Sequence, residues 1–230
     1  MSDTFITSDE HYGHRSIIEA CQRPFKSVAH MTEVLVANHN AKVPNSKNYL
    51  TIHAGDMFWL TMSEQEAMVT LGRLNGRHAF IWGNHDKTIA QGKNLQRMFD
   101  WVRDAHTLHF NKKKLTIYHY AQRVWNGSGR GAWHVYGHSH GELPGLGKSF
   151  DIGVDCHNFT PWSLEEIEAK MAKTKDSLIG QSATFDANGA QPVEQGFCKP
   201  QVGGSIPSVG SRLKLGHTEY LENIARWEDA

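Results

Sequence analysis

The sequence has little cysteine, no excess of either charge and no long apolar run. Its three cysteines, Cys21, Cys156 and Cys198, are scattered without a C-x-x-C pair, which argues against a disulfide framework and for a reducing, cytoplasmic location. Lys plus Arg equals Asp plus Glu at 24 each, so no bulk basic field draws in nucleic acid nonspecifically. No run approaches the roughly 18 apolar residues of a membrane span, and no cationic, apolar leader opens the chain. Membrane and secreted proteins are therefore not expected.

Histidine, by contrast, is abundant, with fifteen in 230 residues. The stretch YGHSH (Tyr136–His140) places His138 and His140 two positions apart, directly after an apolar segment. In extended backbone, side chains at this spacing point the same way, so both imidazoles can converge on one metal ion. A pair of histidines in a surface loop is the alternative.

Short apolar runs that end in polar residues and glycine organise the chain: TFITSDEH, NYLTIHAGD, HAFIWGNHD, KLTIYHY and AWHVYGHSH. Helical patterns separate the first three, including SEQEAMVTLGRL with a capping box at Ser63 and Glu66, so an α/β sheet is predicted. Later, TLHFNKKKLTIYHY alternates without helices, which predicts mostly antiparallel strands and a hairpin turn at Asn111–Lys114.

A further strand in KSFDIGVD and a helix capped by Ser163 and Glu166 complete a predicted domain of residues 1–173. Residues 174–216 are rich in Gly, Pro, Ser and Gln with few bulky side chains, which predicts a flexible linker. Residues 217–230 carry apolar side chains at helical spacing and predict a short amphipathic helix.

The polar clusters at the strand ends carry metal-ligand chemistry, and the carboxyl ends of strands in α/β sheets are where ligands gather. Singly, these residues have ordinary explanations as caps, turn formers or core histidines. Jointly, they are too many for one four-coordinate zinc and suit two neighbouring cations that share a carboxylate. The candidate ligands are Asp9, His11, Asp56, Asn84, His119, His138 and His140.

The order D-x-H, G-D, G-N-H-D, H and G-H-x-H over residues 9–140 resembles the calcineurin-like metallophosphoesterase family. The segment TSDEHYGHRSIIEACQRPF further resembles its small bacterial and bacteriophage branch, in which His14, Arg15, Arg23 and Pro24 recur. The resemblance implies an α/β fold, a two-sheet mixed β-sandwich flanked by helices in a four-layer αββα arrangement.

The resemblance also implies two divalent transition-metal ions, manganese first, with iron, zinc, nickel or cobalt as alternatives. One ion would be bound by Asp9, His11 and His140, the other by Asn84, His119 and His138, and Asp56 would bridge them.

In the chemistry that the resemblance implies, a hydroxide bridging the metals attacks phosphorus while His85 protonates the leaving oxygen and Asp86 orients His85. His14, Arg15 and Arg123 are candidate contacts for a substrate phosphate, with helix capping or solvation as the alternative. Where the family often has an acidic or polar residue after Gly-Asp, this chain has Met57–Trp59, which predicts a more apolar wall.

The expected function is hydrolysis of phosphodiesters of a nucleotide or nucleic-acid type. A phosphomonoesterase is the alternative within the enzyme class, and a noncatalytic scaffold on the same fold is the alternative outside it. The expected partner is a phosphate ester, with nucleotides or nucleic acid included and membranes excluded. The lysine run Lys112–Lys114 could contact a nucleic-acid backbone, but a solvated hairpin turn is favoured there.

Overall fold

The computed structural model describes residues 3–174. The predicted linker and C-terminal helix lie outside these residues and stay predictions. The strands are β1 (Asp3–Thr7), β2 (Tyr49–His53), β3 (Arg77–Ile81), β4 (Val102–Arg103), β5 (Ala105–Phe110), β6 (Lys113–Tyr118), β7 (Trp133–Tyr136), β8 (Ser149–Asp151) and β9 (Trp162–Ser163). The helices are α1 (Ser16–Ala20), α2 (Val28–Lys42), α3 (Glu64–Leu71), α4 (Lys87–Gln91), α5 (Lys93–Gln96) and α6 (Leu164–Lys173). None of these helices is long and apolar enough to cross a membrane.

The strands form two mixed sheets. The first has the order β4-β3-β2-β1-β9, in which β1 to β4 are parallel and β9 is antiparallel. The second has the order β5-β6-β7-β8, in which only the β5–β6 hairpin is antiparallel. The predicted sandwich with flanking helices is therefore confirmed.

The prediction of mostly antiparallel strands in the second half is wrong, because β6, β7 and β8 are parallel. Helix-free sequence between strands favours hairpins, but here loops without α-helix make the parallel connections from β6 to β8. The hairpin turn is also shorter than predicted: Asn111 and Lys112 form it, with φ of 46° and 63°. Positive φ at both central residues is the geometry of a two-residue type I′ turn.

Alternation along the strands sends side chains to two separate cores. Ile6, Ile52 and Ala79 of the first sheet pack with Ile117 and Val135 of the second, which places one core between the sheets. Phe80 points to the opposite face, where α1 to α5 bury their apolar residues. Helix α6 adds apolar residues to the intersheet core.

The predicted capping boxes are both present. Ser63 accepts from the Glu66 amide at the start of α3, and Ser163 does the same for Glu166 at the start of α6. Each satisfies amide groups that the first helical turn leaves without a partner. These helices therefore begin where the sequence signals place them.

Candidate metal centre

The loops that follow β1, β2, β3, β6 and β7 carry the seven candidate ligands. β1 to β3 are parallel in one sheet, and β6 and β7 are parallel in the other. Contacts between these loops join the carboxyl ends of the two sets of strands, as when the His138 amide donates to Asp9. The fold thus collects at one rim residues that lie up to 131 positions apart in the sequence.

Three groups of side chains at this rim have the spacing of metal ligands, and two of them consist entirely of candidate ligands from the sequence; the third is Cys21, His140 and Asp155. Ligand atoms of Asp9, His11 and His140 lie within 4.8 Å of one another. Those of Asp56, His119 and His138 form a second group with the same limit. The family resemblance implies the same division of the histidines between two ions, with Asp56 as the residue that bridges them.

Asp56 faces both groups. Its Oδ2 lies 3.7 Å from His11 Nε2 and 3.5 Å from His119 Nε2. Both separations exceed a good hydrogen bond but suit atoms that coordinate a common or neighbouring ion at about 2 Å each. Asn84 joins the second group, because its Oδ1 lies 3.1 Å from His119 Nε2.

The buried atoms of this rim fit a cation. His11 Nε2 is buried and has no hydrogen-bond partner among the described residues, and such an atom is costly unless a ligand satisfies it. Burial lowers the pKa of His11 to about 2, which keeps the ring neutral and able to donate a lone pair. Burial also raises the pKa of Asp9 to about 7, against the opposing charges of His119 and His140. A bound cation would supply the positive charge that the Asp9 carboxylate lacks.

The Asp56–His119 contact shows the same demand for positive charge. Burial favours the protonated form of Asp56, but its interaction with His119 outweighs this and lowers the pKa of Asp56 to about 2. Burial acts to lower the pKa of His119, yet the contacts with Asp56 and Asp9 raise it to about 9. Without a metal, a proton on His119 therefore balances these carboxylates, so metal binding would displace it and weaken as the pH falls.

Left-handed backbone brings the ligands together. Five of them have positive φ: Asp9 (60°), His11 (53°), Asp56 (56°), His138 (68°) and His140 (47°). Such conformations cost on the order of 1 kcal/mol each for residues other than glycine and concentrate at functional sites. Sharp turns immediately after the strands direct the side chains toward one another across the rim.

Glycines let these loops approach closely. A Cβ at Gly55 would collide with the His119 ring, and one at Gly83 would collide with the Asp56 carboxylate. A Cβ at Gly137 would collide with Ser8 and Asp9. The glycines of the sequence motif are therefore required by the packing of one loop against another.

Hydrogen bonds at Nδ1 orient two of the ligand histidines. His119 Nδ1 lies 2.8 Å from the Ala54 carbonyl, and His140 Nδ1 lies 2.8 Å from Asp155 Oδ2. An imidazole held at one nitrogen by a carbonyl or carboxylate presents the other nitrogen to a metal. Sequence reasoning missed Asp155, although it too follows a strand that ends in glycine and acidic residues.

Arg23 connects this arrangement to the first loop. Arg23 is 4% exposed, and its guanidinium donates to both oxygens of Asp155 at 2.8 and 2.7 Å. It also donates to the carbonyls of Asp9 and Glu10 at 2.8 and 3.0 Å. Arg23 therefore holds His140, through Asp155, against the loop that carries Asp9 and His11.

His85 lies beside the two groups without belonging to either. Its half-buried ring is centred 5.0 Å from the Trp59 ring and 5.7 Å from the His11 ring. Its amide donates to Asp56 Oδ1 at 2.9 Å, and its ring makes no hydrogen bond within residues 3–174. The ring nitrogens are therefore available to hydrogen-bond a bound molecule.

Asp86 does not orient His85 as expected. Its carboxylate accepts from the amides of Gly83, Asp56 and Met57, and no hydrogen bond joins it to the His85 ring in the described structure. Two loops lie close enough to donate their amides to one buried carboxylate. Asp86 therefore braces the backbone on both sides of the bridging residue.

The proposed substrate contacts divide into a buried one and two exposed ones. The His14 ring stacks on the Trp59 ring, with ring centres 3.3 Å apart and an angle of 5° between the ring planes. Its nitrogens lie 3.2 Å from His11 Nδ1 and 2.9 Å from Ser16 Oγ. Its ring thus orients His11, which was not anticipated. Arg15 and Arg123 are exposed, and their contact with substrate stays a prediction.

The predicted apolar wall is reduced to one residue. Met57 and Phe58 are fully buried in the helix-side core, whereas Trp59 is partly exposed beside His11 and His85. On the other side, Tyr120 is 38% exposed, and its ring is centred 4.8 Å from that of His138. Aromatic side chains therefore flank the centre on two sides.

Known proteins resemble this chain in sequence or in fold. An uncharacterized protein of Methanocaldococcus jannaschii is 29% identical over 182 residues, which cover 76% of this chain and 94% of that protein. The crystal structure of a protein of unknown function from Aquifex aeolicus superposes with a TM-score of 0.59 at 20% identity, over 73% of this chain and 98% of that one. The model of the calcineurin-like phosphoesterase family matches residues 4–173. The chain belongs to the calcineurin-like phosphoesterase family.

Proposed function

We propose that this protein is a metal-dependent phosphodiesterase that cleaves nucleotide- or nucleic-acid-like phosphodiesters, with His85 as general acid. The observation that supports it is the His85 ring, which lies beside both ligand groups, is partly exposed and makes no hydrogen bond to residues 3–174. A diester with an alkoxide leaving group needs a proton at that oxygen as the bond to phosphorus breaks.

Two cations would be held by Asp9, His11 and His140 and by Asn84, His119 and His138, with Asp56 shared. When bound, they would polarise the phosphoryl oxygens and lower the pKa of attacking water. Nitrogen and oxygen donors in this mixture favour Mn²⁺ or another transition metal over Mg²⁺.

The other residues of the rim would position the substrate and supply the proton. Trp59 and Tyr120 present aromatic faces on either side of the centre, suited to stacking with a nucleobase or an aromatic leaving group. His85 would donate to the leaving oxygen on the side of Trp59. His14 and Asp155 would act through His11 and His140, which they contact directly.

An assay panel tests the proposal. The substrates are bis(p-nitrophenyl) phosphate, p-nitrophenyl phosphate, 2′,3′-cyclic nucleotides and single-stranded DNA, each with Mn²⁺, Ni²⁺ or Mg²⁺. We expect the diesters to be cleaved faster than the monoester, and Mn²⁺ to support more activity than Mg²⁺. A preference for the monoester would make the protein a phosphatase, and no turnover with any metal by a chain that binds two ions would favour a scaffold.

A further inference from the structure

A second concave site lies between the β5–β6 hairpin and the loop from β6 to β7. We name it the basic pocket; its volume is about 230 Å³, and Lys112, Lys113, Lys114 and Arg130 line it together with backbone of Gly127 and Gly131. From the sequence alone, a solvated hairpin turn is the favoured interpretation of these lysines. The structure adds a wall opposite them that carries a fourth cation.

The basic pocket is remote from the metal centre. Lys113 begins β6 and His119 follows its end, while Ala132, which also borders the pocket, precedes β7. Because the two strands are parallel, both begin at the pocket and end at the metal rim. At about 3.3 Å per residue the separation along β6 is roughly 20 Å. A molecule bound there is therefore not a ligand of the metal centre.

The charges of the pocket are not compensated within it. No acidic side chain lines it, and none of its four cations forms an ion pair with residues 3–174. The nearby carboxylate of Glu168 instead accepts from the Asn111 side chain at 2.9 Å. Like charges gathered in one concavity repel, and an anion would remove that cost.

Buried contacts fix the far wall of the pocket. The Trp125 side chain, 5% exposed, donates to the Ala132 carbonyl at 2.9 Å. The amides of Arg130 and Ala132 both donate to the Gly127 carbonyl, at 2.8 and 3.1 Å. Gly127 and Gly131 have φ of 85° and 77°, a conformation that disfavours other residues. The turn is thus held in place without a ligand.

We propose that the basic pocket binds a compact phosphate-class oxyanion, either free or as one phosphate group of a larger molecule. Its volume is below the roughly 300–1,000 Å³ of sites that enclose whole small molecules, which favours a phosphate or pyrophosphate over an entire nucleotide. Lysine ammonium groups and an arginine fork are the side chains that bind phosphate oxygens most effectively. The proposal does not depend on the activity at the metal centre.

Site-resolved NMR of the full chain loaded with Zn²⁺, which is diamagnetic, tests the proposal. Inorganic phosphate and pyrophosphate are titrated while the amides of Gly127 and Gly131 report on the pocket and that of Gly137 reports on the metal rim. We expect saturable shifts at both places, with separate affinities. The proposal would be overturned if the chemical shifts of the pocket amides did not change while those at the metal rim reached saturation. It would also be overturned if sodium chloride changed the pocket shifts equally.

Charge-removing variants make the assignment specific. In Lys114→Gln/Arg130→Gln the affinity at the pocket amides should fall by roughly tenfold or more, while Gly137 titrates as before. The matched control is Lys26→Gln/Arg97→Gln, in which both residues are exposed elsewhere and no change is expected. Arg130→Gln alone serves if the double variant does not fold. An equal loss in the control would indicate long-range charge only and refute a built site.

Oligonucleotides with and without a 5′-phosphate distinguish the sources of the phosphate group. Tighter binding of the phosphorylated strand at the pocket amides would support recognition of a compact terminal phosphate. Equal binding of both strands, with weak competition from pyrophosphate, would replace the proposal by a groove for a nucleic-acid backbone.

Discussion

His134 lies on β7 and His119 directly follows the neighbouring strand β6. Both residues are fully buried, yet their second ring nitrogens have opposite surroundings. His134 Nδ1 lies 3.1 Å from the Thr116 carbonyl, and its Nε2 accepts from the Gln122 amide at 3.0 Å. His119 is held by a carbonyl at Nδ1 only, and its Nε2 faces Asn84 and Asp56. Burial alone therefore does not mark a ligand; a nitrogen directed at carboxylate and amide oxygens does.

The first sheet repeats this contrast within one motif. Asp9 and His11 face the rim, whereas Glu10 between them points into the interior, where its Oε1 lies 2.5 Å from His53 Nδ1. His53 Nε2 in turn lies 3.1 Å from His78 Nδ1. The left-handed conformations of Asp9 and His11 turn the chain sharply on either side of Glu10, so one short segment supplies both candidate metal ligands and a buried structural network.

Replacing His119 and His134 by alanine, one at a time, should give the largest difference in metal content and turnover between two variants. We expect His119→Ala to lose metal from the second group and at least about 10³-fold in turnover on every substrate, because a ligand beside the bridging carboxylate is removed. His134→Ala should retain both metals and its activity, but lose about 1–3 kcal/mol of stability as two backbone groups lose their partner.

Metal analysis, turnover and urea unfolding of both variants check this prediction. Equal metal loss in the two proteins would show that His134 supports the centre through the sheet. If His119→Ala retained two ions, His119 would not be a metal ligand.

His85→Ala should have the next largest effect. As a general acid that is not a ligand, His85 should be replaceable without loss of metal, but turnover of diesters with poor leaving groups should fall by roughly 10²- to 10⁴-fold. Activated p-nitrophenyl esters should suffer less, because a phenolate leaves with little need of a proton. Equal losses on both substrate types, with both ions present, would leave His85 only a charge-stabilising role.

Much of this site could be predicted because its ligands follow apolar runs that are recognisable as strands. Asp9, Asp56 and His138 each come two or three residues after such a strand, and parallel pairing of the strands collects their ends at one edge. The capping boxes at Ser63 and Ser163 were equally local, since each depends on four consecutive residues.

What could not be predicted depends on contacts between residues distant in sequence. Arg23 and Asp155 are 132 positions apart, and no local pattern pairs an arginine with a carboxylate. Asp86 was assigned to its neighbour in sequence, but its partners are amides of two loops that only folding brings together. The parallel β6–β7–β8 pairing was missed because pairing direction depends on the path of loops that carry no periodic signal.

Asp155→Asn tests whether this distant pair matters to the rim. Asn cannot bind Arg23 as an anion, and it weakens the hold on His140 Nδ1. Loss of such a supporting carboxylate usually costs about 10- to 100-fold in metal affinity or activity. We expect that loss at the ion held by His140, measured by competition with a chelator, with the second ion less affected.

Asp100→Asn is the matched control for Asp155→Asn. Asp100 also pairs with an arginine, Arg77, but on the exposed surface, and its loss should leave both ions bound. Equal weakening of both ions in Asp155→Asn would indicate a general loosening of the fold, whereas no change would show that Arg23 alone maintains the loop.

The smallest effect concerns His39, an interior histidine whose Nε2 lies 3.0 Å from the Asn75 carbonyl. Burial lowers the pKa of His39 from its ordinary 6.5 to about 4, so below about pH 6.5 the unfolded chain binds a proton that the folded chain does not. Stability should therefore fall as the pH falls toward 4 and be unaffected above 6.5.

His39→Gln keeps a donor for Asn75 but cannot titrate, so wild type should lose about 1 kcal/mol more than the variant between pH 8 and pH 5.5. Glu10, whose pKa burial raises to about 7, acts in the opposite direction in both proteins, so the comparison of wild type with variant removes most of its contribution. Urea unfolding at the two pH values, with a chelator present so that neither protein carries metal, measures the difference. An equal loss in wild type and variant would mean that His39 is protonated in the folded protein and that its surroundings open to water.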